Sequence, residues 1–166
     1  MTGTFRYILV ILIASAFLQC YSFKGIVIPD EIDTFEVPYV EMTTPDAPPS
    51  INIDFQDKLI QKITRESRLV FQDVAPDVTM KATISDYIVE SLGANSQNNV
   101  DANRLKISVR IEFTDSKDEE RNWKKTFSQN REFDAGVNLL SVQDDLIEQI
   151  FDDIVEDIFM SAFTNW

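Results

Sequence analysis

The clearest structural signal in the chain is NRLKISVRIEFTD, residues 103–115. Apolar and polar side chains alternate along this stretch. Since successive side chains of a β-strand point to opposite faces, the apolar ones share one face. These residues are Leu105, Ile107, Val109, Ile111 and Phe113. The stretch therefore predicts a long strand that buries one face and leaves the other open.

Two further stretches that alternate in the same way flank this strand. Residues 78–85 and 123–133 predict neighbouring strands, joined to the central one by a polar turn over 93–102 and a charged loop over 115–121. The alternation changes phase at Asp86-Tyr87, which predicts a β-bulge. Together the three strands predict an antiparallel meander.

Two stretches have helical rather than alternating periodicity. Apolar residues recur every four positions from Ile51 to Ile63, which predicts a helix from about Ser50 to Arg68. The second predicted helix runs from Ser141, as its N-cap, to about Phe163. Its broad apolar face contains Ile147, Ile150, Phe151, Ile154, Ile158 and Ala162. The resulting fold class is α+β: a two-layer sandwich in which a small mixed or antiparallel sheet carries two helices on one face.

Shorter extended segments precede the meander. Tyr21–Ile28 and Leu69–Phe71 are predicted strands. The segment 34–42 is another, with Phe35, Val37 and Tyr39 on one side, and its Pro38 favours a sheet edge because proline cannot donate to a ladder.

Composition excludes several functional classes. The 166 residues carry a formal net charge of −13, with no histidine and a single cysteine. The missing histidine removes the commonest acid–base catalyst, and one cysteine cannot form an internal disulfide. The acidity argues against nucleic-acid binding, which needs a basic surface. No catalytic motif is present and the carboxylate pairs lie on a helix surface, so we expect no enzyme, metal or dissociable cofactor.

The N-terminus has the layout of an export signal. Arg6 precedes an apolar run over residues 7–18, which is shorter than a helix needs to be to span the bilayer. Cys20 lies where the signal would be cleaved, and Phe17-Leu18-Gln19-Cys20 is similar to a lipobox. We therefore expect a signal peptide over residues 1–19, a lipid attached to Cys20 and one domain over residues 20–166. The alternative is an ordinary secretory signal in which the cysteine is incidental.

Charge is distributed unevenly over the predicted fold. The basic residues of the first helix (Lys58, Lys62 and Arg65) are expected to form ion pairs with the acidic last helix. The sheet face opposite the helices, here called the open face, is expected to display Lys81, Arg104, Lys106, Arg110 and Lys124 among serine and threonine residues. Such a face fits either an anion or partner contact site or an ordinary solvated face.

Several segments occur in an order typical of one family: CYSFKGIVIP, TFEVPYVE, PDAPPSI, ATISDY, NRLKISVRIEFTDSKDEERNWKKTFS and EDIFMSAFTNW. Together they resemble the lipopolysaccharide-assembly lipoprotein family, in its Bacteroidetes form, over residues 20–166. The resemblance implies a lipoprotein of the outer membrane, anchored through Cys20 and facing the periplasm. It also implies a small sheet backed by two helices.

The same resemblance implies a partner. Family members bind and plug a large β-barrel translocon subunit (LptD-like), assist its assembly and help deliver lipopolysaccharide to the cell surface. The five cations of the open face are then candidates for contact with lipopolysaccharide phosphates or with the barrel. The alternative is a free-standing periplasmic lipoprotein that binds a small anionic ligand or lipid on the open face.

Overall fold

The computed structural model describes residue 25, residues 27–93 and residues 102–164. The predicted signal peptide and Cys20 lie outside the described residues. So do most of the predicted strand over 21–28 and most of the predicted turn over 93–102. The described end of that first segment, Val27 and Ile28, is not part of a strand.

Six strands and two α-helices make up the described part of the chain. In order they are β1 (Thr34–Glu36), β2 (Glu41–Met42), α1 (Ile51–Glu66), β3 (Val70–Phe71), β4 (Val78–Leu92), β5 (Ala102–Asp115), β6 (Trp123–Asp134) and α2 (Gln143–Phe163). Short 3-10 turns, Glu119–Arg121 and Leu139–Ser141, precede β6 and α2.

The strands form one open, mixed sheet in the order β3-β1-β4-β5-β6, and β2 pairs with β4 beyond the end of β1. β4, β5 and β6 are the predicted antiparallel meander, whereas β1 and β2 run parallel to β4. The fold class predicted from the sequence, an α+β sandwich with a small mixed sheet, is confirmed.

Three local predictions are also confirmed. The first helix begins and ends within two residues of its predicted bounds, and the predicted extended run near Val70 is strand β3. The register between β4 and β5 shifts between Ile84 and Asp86, which places the bulge at Ser85, next to the predicted position.

Three details of the sequence interpretation are wrong. The strand predicted at a sheet edge because of Pro38 begins as β1, which lies between β3 and β4 inside the sheet. Tyr39 does not join the core: it is 68% exposed, and Val40 is buried instead. The chain leaves the sheet between β1 and β2, around Pro38, so the alternation does not continue through this segment. Ser141 is not the N-cap of α2, because its hydroxyl donates to the carbonyl of Asn138 within the preceding 3-10 turn.

The core lies between the helices and one face of the sheet. α1 buries Phe55 against Phe151 of α2, with ring centroids 4.9 Å apart in an edge-to-face arrangement. At the end of the domain where α2 ends, Phe113 of β5 stacks on Trp123 of β6 at 5.4 Å. Neither described helix combines the length and hydrophobicity needed to cross a bilayer.

The predicted ion pairs between the helices form at two positions. Lys58 pairs with Asp152, and Lys62 pairs with Glu156. Because both members of the pairs advance by one helical turn together, α1 and α2 run parallel and side by side. Exposed ion pairs of this kind contribute about 0–1 kcal/mol each to the free energy of unfolding. These two pairs therefore add little stability, and their main effect is on how the helices align.

The side chain of Asp77 is hydrogen-bonded to the start of β1. Its Oδ2 accepts hydrogen bonds from the backbone N–H of Asp33 at 2.9 Å and from the N–H and hydroxyl of Thr34 at 3.0 and 2.9 Å. Its Oδ1 lies 3.0 Å from the ammonium of Lys117. The hydrogen bond from the Asp33 N–H, with support from Lys117 and Thr34, holds the pKa of Asp77 well below its ordinary value.

This depressed pKa predicts a specific pH dependence. A carboxylate whose pKa is lower in the folded state contributes stability above its unfolded pKa of about 3.9, and that contribution is lost as pH falls. We expect Asp77→Asn to reduce the free energy of unfolding by about 2 kcal/mol at pH 7. The difference from wild type should shrink between about pH 5 and pH 2 in urea titrations. Asp73→Asn, in the adjacent exposed loop, is the control, and an Asp77→Asn deficit independent of pH would contradict the assignment.

Candidate functional site

The register of the meander brings all five predicted cations to the open face. Each antiparallel pair faces the same side of the sheet, so side chains on three strands share a row. One row contains Lys81 of β4, Glu112 of β5 and Lys124 of β6, and a second contains Thr83, Arg110 and Thr126. Further rows hold Lys106 beside Ile88 and Asn130, and Arg104 beside Glu90 and Glu132.

Three of the five cations pair with carboxylates on the same face. Lys81 Nζ lies 3.0 Å from Oε1 of Glu41 in β2, and Arg104 Nη2 lies 2.6 Å from Oε1 of Glu132 in β6. Lys124 pairs with Glu112. The hydrogen bond to Glu41 raises the pKa of Lys81, and the hydrogen bond from Lys124 lowers the pKa of Glu112. These three cations are therefore partly neutralised before any partner arrives.

Lys106 and Arg110 differ from the other three cations. Neither forms an ion pair with a carboxylate of the described residues, although the charge of Arg110 acts on Glu112 nearby. Arg110 is exposed, and its planar guanidinium is suited to a bidentate contact with a carboxylate or phosphate. These two side chains are the cations that remain available for a contact on the open face.

The face carries mixed charge rather than a basic field. The register also places carboxylates there: Glu41, Asp86, Glu90, Glu112, Glu132 and Asp134. Alternation within β5 reveals Glu112 beside Arg110, but the pairing of Arg104 with Glu132 depends on the cross-strand register. The cations are predictable from the sequence, whereas the acids that pair with them from other strands are not.

Hydroxyl groups occupy the middle of the open face. The side chains of Ser108 and Ser128 are hydrogen-bonded at 2.8 Å, and Ser85 Oγ donates to the Ser108 carbonyl at 3.3 Å. Ser108 is only 2% exposed although it points away from the helices. The serine hydroxyls at this centre are consequently already engaged in hydrogen bonds within the sheet.

The described residues offer little for chemistry on this face. They contain no group of three or more cysteine or acidic side chains placed to hold a metal ion. Two cavities lined by described residues have volumes of about 430 and 250 Å³, and the five cations line neither of them. The open face is thus suited to contact with another surface more than to enclosing a small molecule.

Solved structures share this fold at low sequence identity. A hypothetical protein of Chlamydia trachomatis aligns with a TM-score of 0.57 and 9% identity, covering 81% of this chain and 99% of that one. A minor lipoprotein of Acinetobacter baumannii has a TM-score of 0.51 and 13% identity, covering 78% and 93%. A Xanthomonas campestris protein has a TM-score of 0.54 and 13% identity, covering 77% and 81%. At such identities the likeness concerns the fold alone.

Comparison of the sequence with curated proteins finds no match. The family model described as lipopolysaccharide-assembly, LptE, matches residues 32–161. That range begins just before β1 and ends two residues before the end of α2, so it contains the whole described sheet, all of α1 and nearly all of α2. The chain therefore belongs to the lipopolysaccharide-assembly family LptE, and this membership supports a role in lipopolysaccharide assembly.

Proposed function

We propose that this protein is a non-enzymatic lipoprotein subunit that binds and plugs an outer-membrane β-barrel translocon and assists both barrel assembly and lipopolysaccharide transport. The family match over residues 32–161 carries the proposal. A lipid on Cys20, attached after removal of residues 1–19, anchors the domain over residues 20–166 in the outer membrane, facing the periplasm.

The architecture supports a role in surface contact. The helices cover one face of the sheet, while the three long strands leave the other face open. Mixed charge on that face suits a protein partner, because complementary charges set register and suppress wrong partners. We propose that Lys106 and Arg110 meet acidic groups of the barrel wall or lipopolysaccharide phosphates. The other three proposed contact residues, Lys81, Arg104 and Lys124, act together with their paired carboxylates.

Isolation of the protein from its membrane tests the proposed partner. Tagged protein is purified from detergent-solubilised outer membranes, and the bound material is identified by mass spectrometry. We expect one large β-barrel in near-equal amount. A clean monomer would contradict the proposal and favour the alternative, a free-standing lipoprotein with a small anionic ligand.

Charge reversal tests the contact face. We expect Lys106→Glu combined with Arg110→Glu to reduce the recovered barrel at least about tenfold, because like charges facing each other across an interface cost several kcal/mol. These two positions are preferred over Arg104, since a glutamate there would face Glu132 and disturb the sheet itself.

The matched control is Arg65→Glu, the same reversal on an exposed position of α1. It should leave barrel recovery within about twofold of wild type, and unfolding midpoints should show that all variants fold. If the folded double variant recovers as much barrel as wild type, the open face is not part of the interface.

A further inference from the structure

The first described residues leave the domain at the end of α2. The backbone N–H of Val27 donates to the carbonyl of Phe163, the last residue of that helix, at 2.9 Å. Val27 follows Cys20 by seven positions, and seven fully extended residues span at most about 25 Å. With a lipid on Cys20, as in the proposed function, this end of the domain is held close to the membrane surface.

A cavity of about 430 Å³ opens at this same end, and we call it the Trp123 pocket. It is lined by Pro29, Glu120, Arg121, Asn122, Trp123, Lys125, Ser161 and Ala162. Stacking on Phe113 fixes the Trp123 ring, so the apolar wall of the pocket is preformed. The volume is within the range typical of sites for small molecules and headgroups.

Lys125 is the available cation of the pocket. Its Nζ donates to Ser161 Oγ at 3.0 Å and lies 5.1 Å from the centroid of the Trp123 ring. No carboxylate of the described residues pairs with it. Arg121, by contrast, is already bound by Asp115 and Glu31. A phosphate at the mouth of the pocket would therefore meet the ammonium of Lys125 and the hydroxyl of Ser161.

Glu120 supplies the opposite charge. It is exposed on the pocket rim, and among the described residues no lysine or arginine forms an ion pair with it. One available cation and one available anion around a single cavity are the complement of a zwitterion. A phosphate joined to a primary ammonium group satisfies both, whereas a simple anion would be repelled by Glu120.

We propose that the Trp123 pocket binds the phosphoethanolamine headgroup of a phospholipid in the membrane that holds the anchor. The phosphate lies at Lys125 and Ser161, the ammonium at Glu120, and the Trp123 indole at the membrane interface, where an amphipathic ring is favoured. The lipid on Cys20 and the bound headgroup then form two attachments at one end of the domain, and two attachments fix its orientation where one leaves it free to rotate.

Binding of the isolated headgroup tests the pocket without any membrane. The sequence has two tryptophans, so Trp166→Phe in the full-length chain leaves Trp123 as the only indole. We expect a saturable change in its fluorescence with glycerophosphoethanolamine. Lys125→Gln should weaken this binding about tenfold, because a charge-assisted hydrogen bond is lost. A response that does not saturate would overturn the proposal.

Two comparisons establish the specificity. Arg65→Gln removes an equivalent exposed charge from α1 and should bind like the parent protein. Glycerophosphocholine, whose quaternary ammonium cannot donate to Glu120, should bind several-fold more weakly, and Glu120→Gln should abolish that preference. Equal binding of the two headgroups by the parent protein would contradict the assigned role of Glu120.

A membrane experiment separates this inference from the proposed function. Intact-mass measurement of protein purified from membranes should show the covalent lipid on wild type and on Lys125→Gln, and none on Cys20→Ser. If Cys20→Ser shows the same mass modification as wild type, the anchor is wrong, yet the headgroup titration still decides the pocket. If the anchor is correct and the titration fails, only the pocket is excluded.

Discussion

Replacing Phe55 by alanine is expected to lower the free energy of unfolding by about 3–5 kcal/mol, the range for truncating a fully buried phenylalanine. Phe55 is 0% exposed and packs edge-to-face on Phe151 where the two helices meet. The loss combines the transfer free energy of the ring with a cavity that the parallel helices cannot close. Urea titration monitored by far-UV circular dichroism measures it.

Ile53→Ala provides the comparison within the same helix. Ile53 is two positions away and 52% exposed, so its truncation should cost less than about 1 kcal/mol. Similar losses at the two positions would mean that α1 does not bury the face described here. A Phe55→Ala protein of near-native stability would have the same meaning.

Asp115→Ala is the second change with a large expected effect, about 3 kcal/mol of unfolding free energy. The Asp115 side chain is 0% exposed at the end of β5. It accepts hydrogen bonds from the N–H groups of Lys117 and Asp118 at 2.7 and 3.1 Å, and its Oδ2 lies 2.9 Å from Arg121 Nε. Its removal leaves two partly buried N–H groups without an acceptor and leaves the Arg121 guanidinium with less charge compensation.

The neighbouring Glu119→Ala removes a carboxylate from the same loop at an exposed position and should change stability by less than about 0.5 kcal/mol. Hydrogen exchange adds a local measurement. In Asp115→Ala the amides of Lys117 and Asp118 should exchange faster, while those in the middle of β5 should stay protected. Unchanged protection of the loop amides would contradict the proposed role of Asp115.

The sequence predicts the elements that bury one face along a regular period. β5 and α1 each repeat apolar residues at a fixed spacing, so the hydrophobic effect alone defines their buried sides and approximate lengths. The bulge near Ser85 was also predictable, because the apolar side chains of β4 change phase there. In all these cases the deciding information lies within one segment of the chain.

Features that depend on contacts between segments were not predictable in this way. Tyr39 continues an alternating pattern, but the chain leaves the sheet at Pro38, and the Tyr39 hydroxyl accepts a hydrogen bond from Asn52 instead. The acids that neutralise Lys81 and Arg104 come from β2 and β6, so their pairing depends on a register that neither strand encodes alone. The Trp123 pocket likewise combines a loop, a strand and the end of a helix that are distant in sequence.

The position of β1 in the sheet has a mechanical consequence. β1 lies between β3 and β4, and its start is fastened by Asp77. In an anchored protein, any tension between membrane and domain enters the fold through the segment just before β1. Because β1 has a neighbour on each side, such a load shears an interior strand against both neighbours at once and cannot peel a strand from an edge. The resistance of the domain to extraction by force is then set by its unfolding rate.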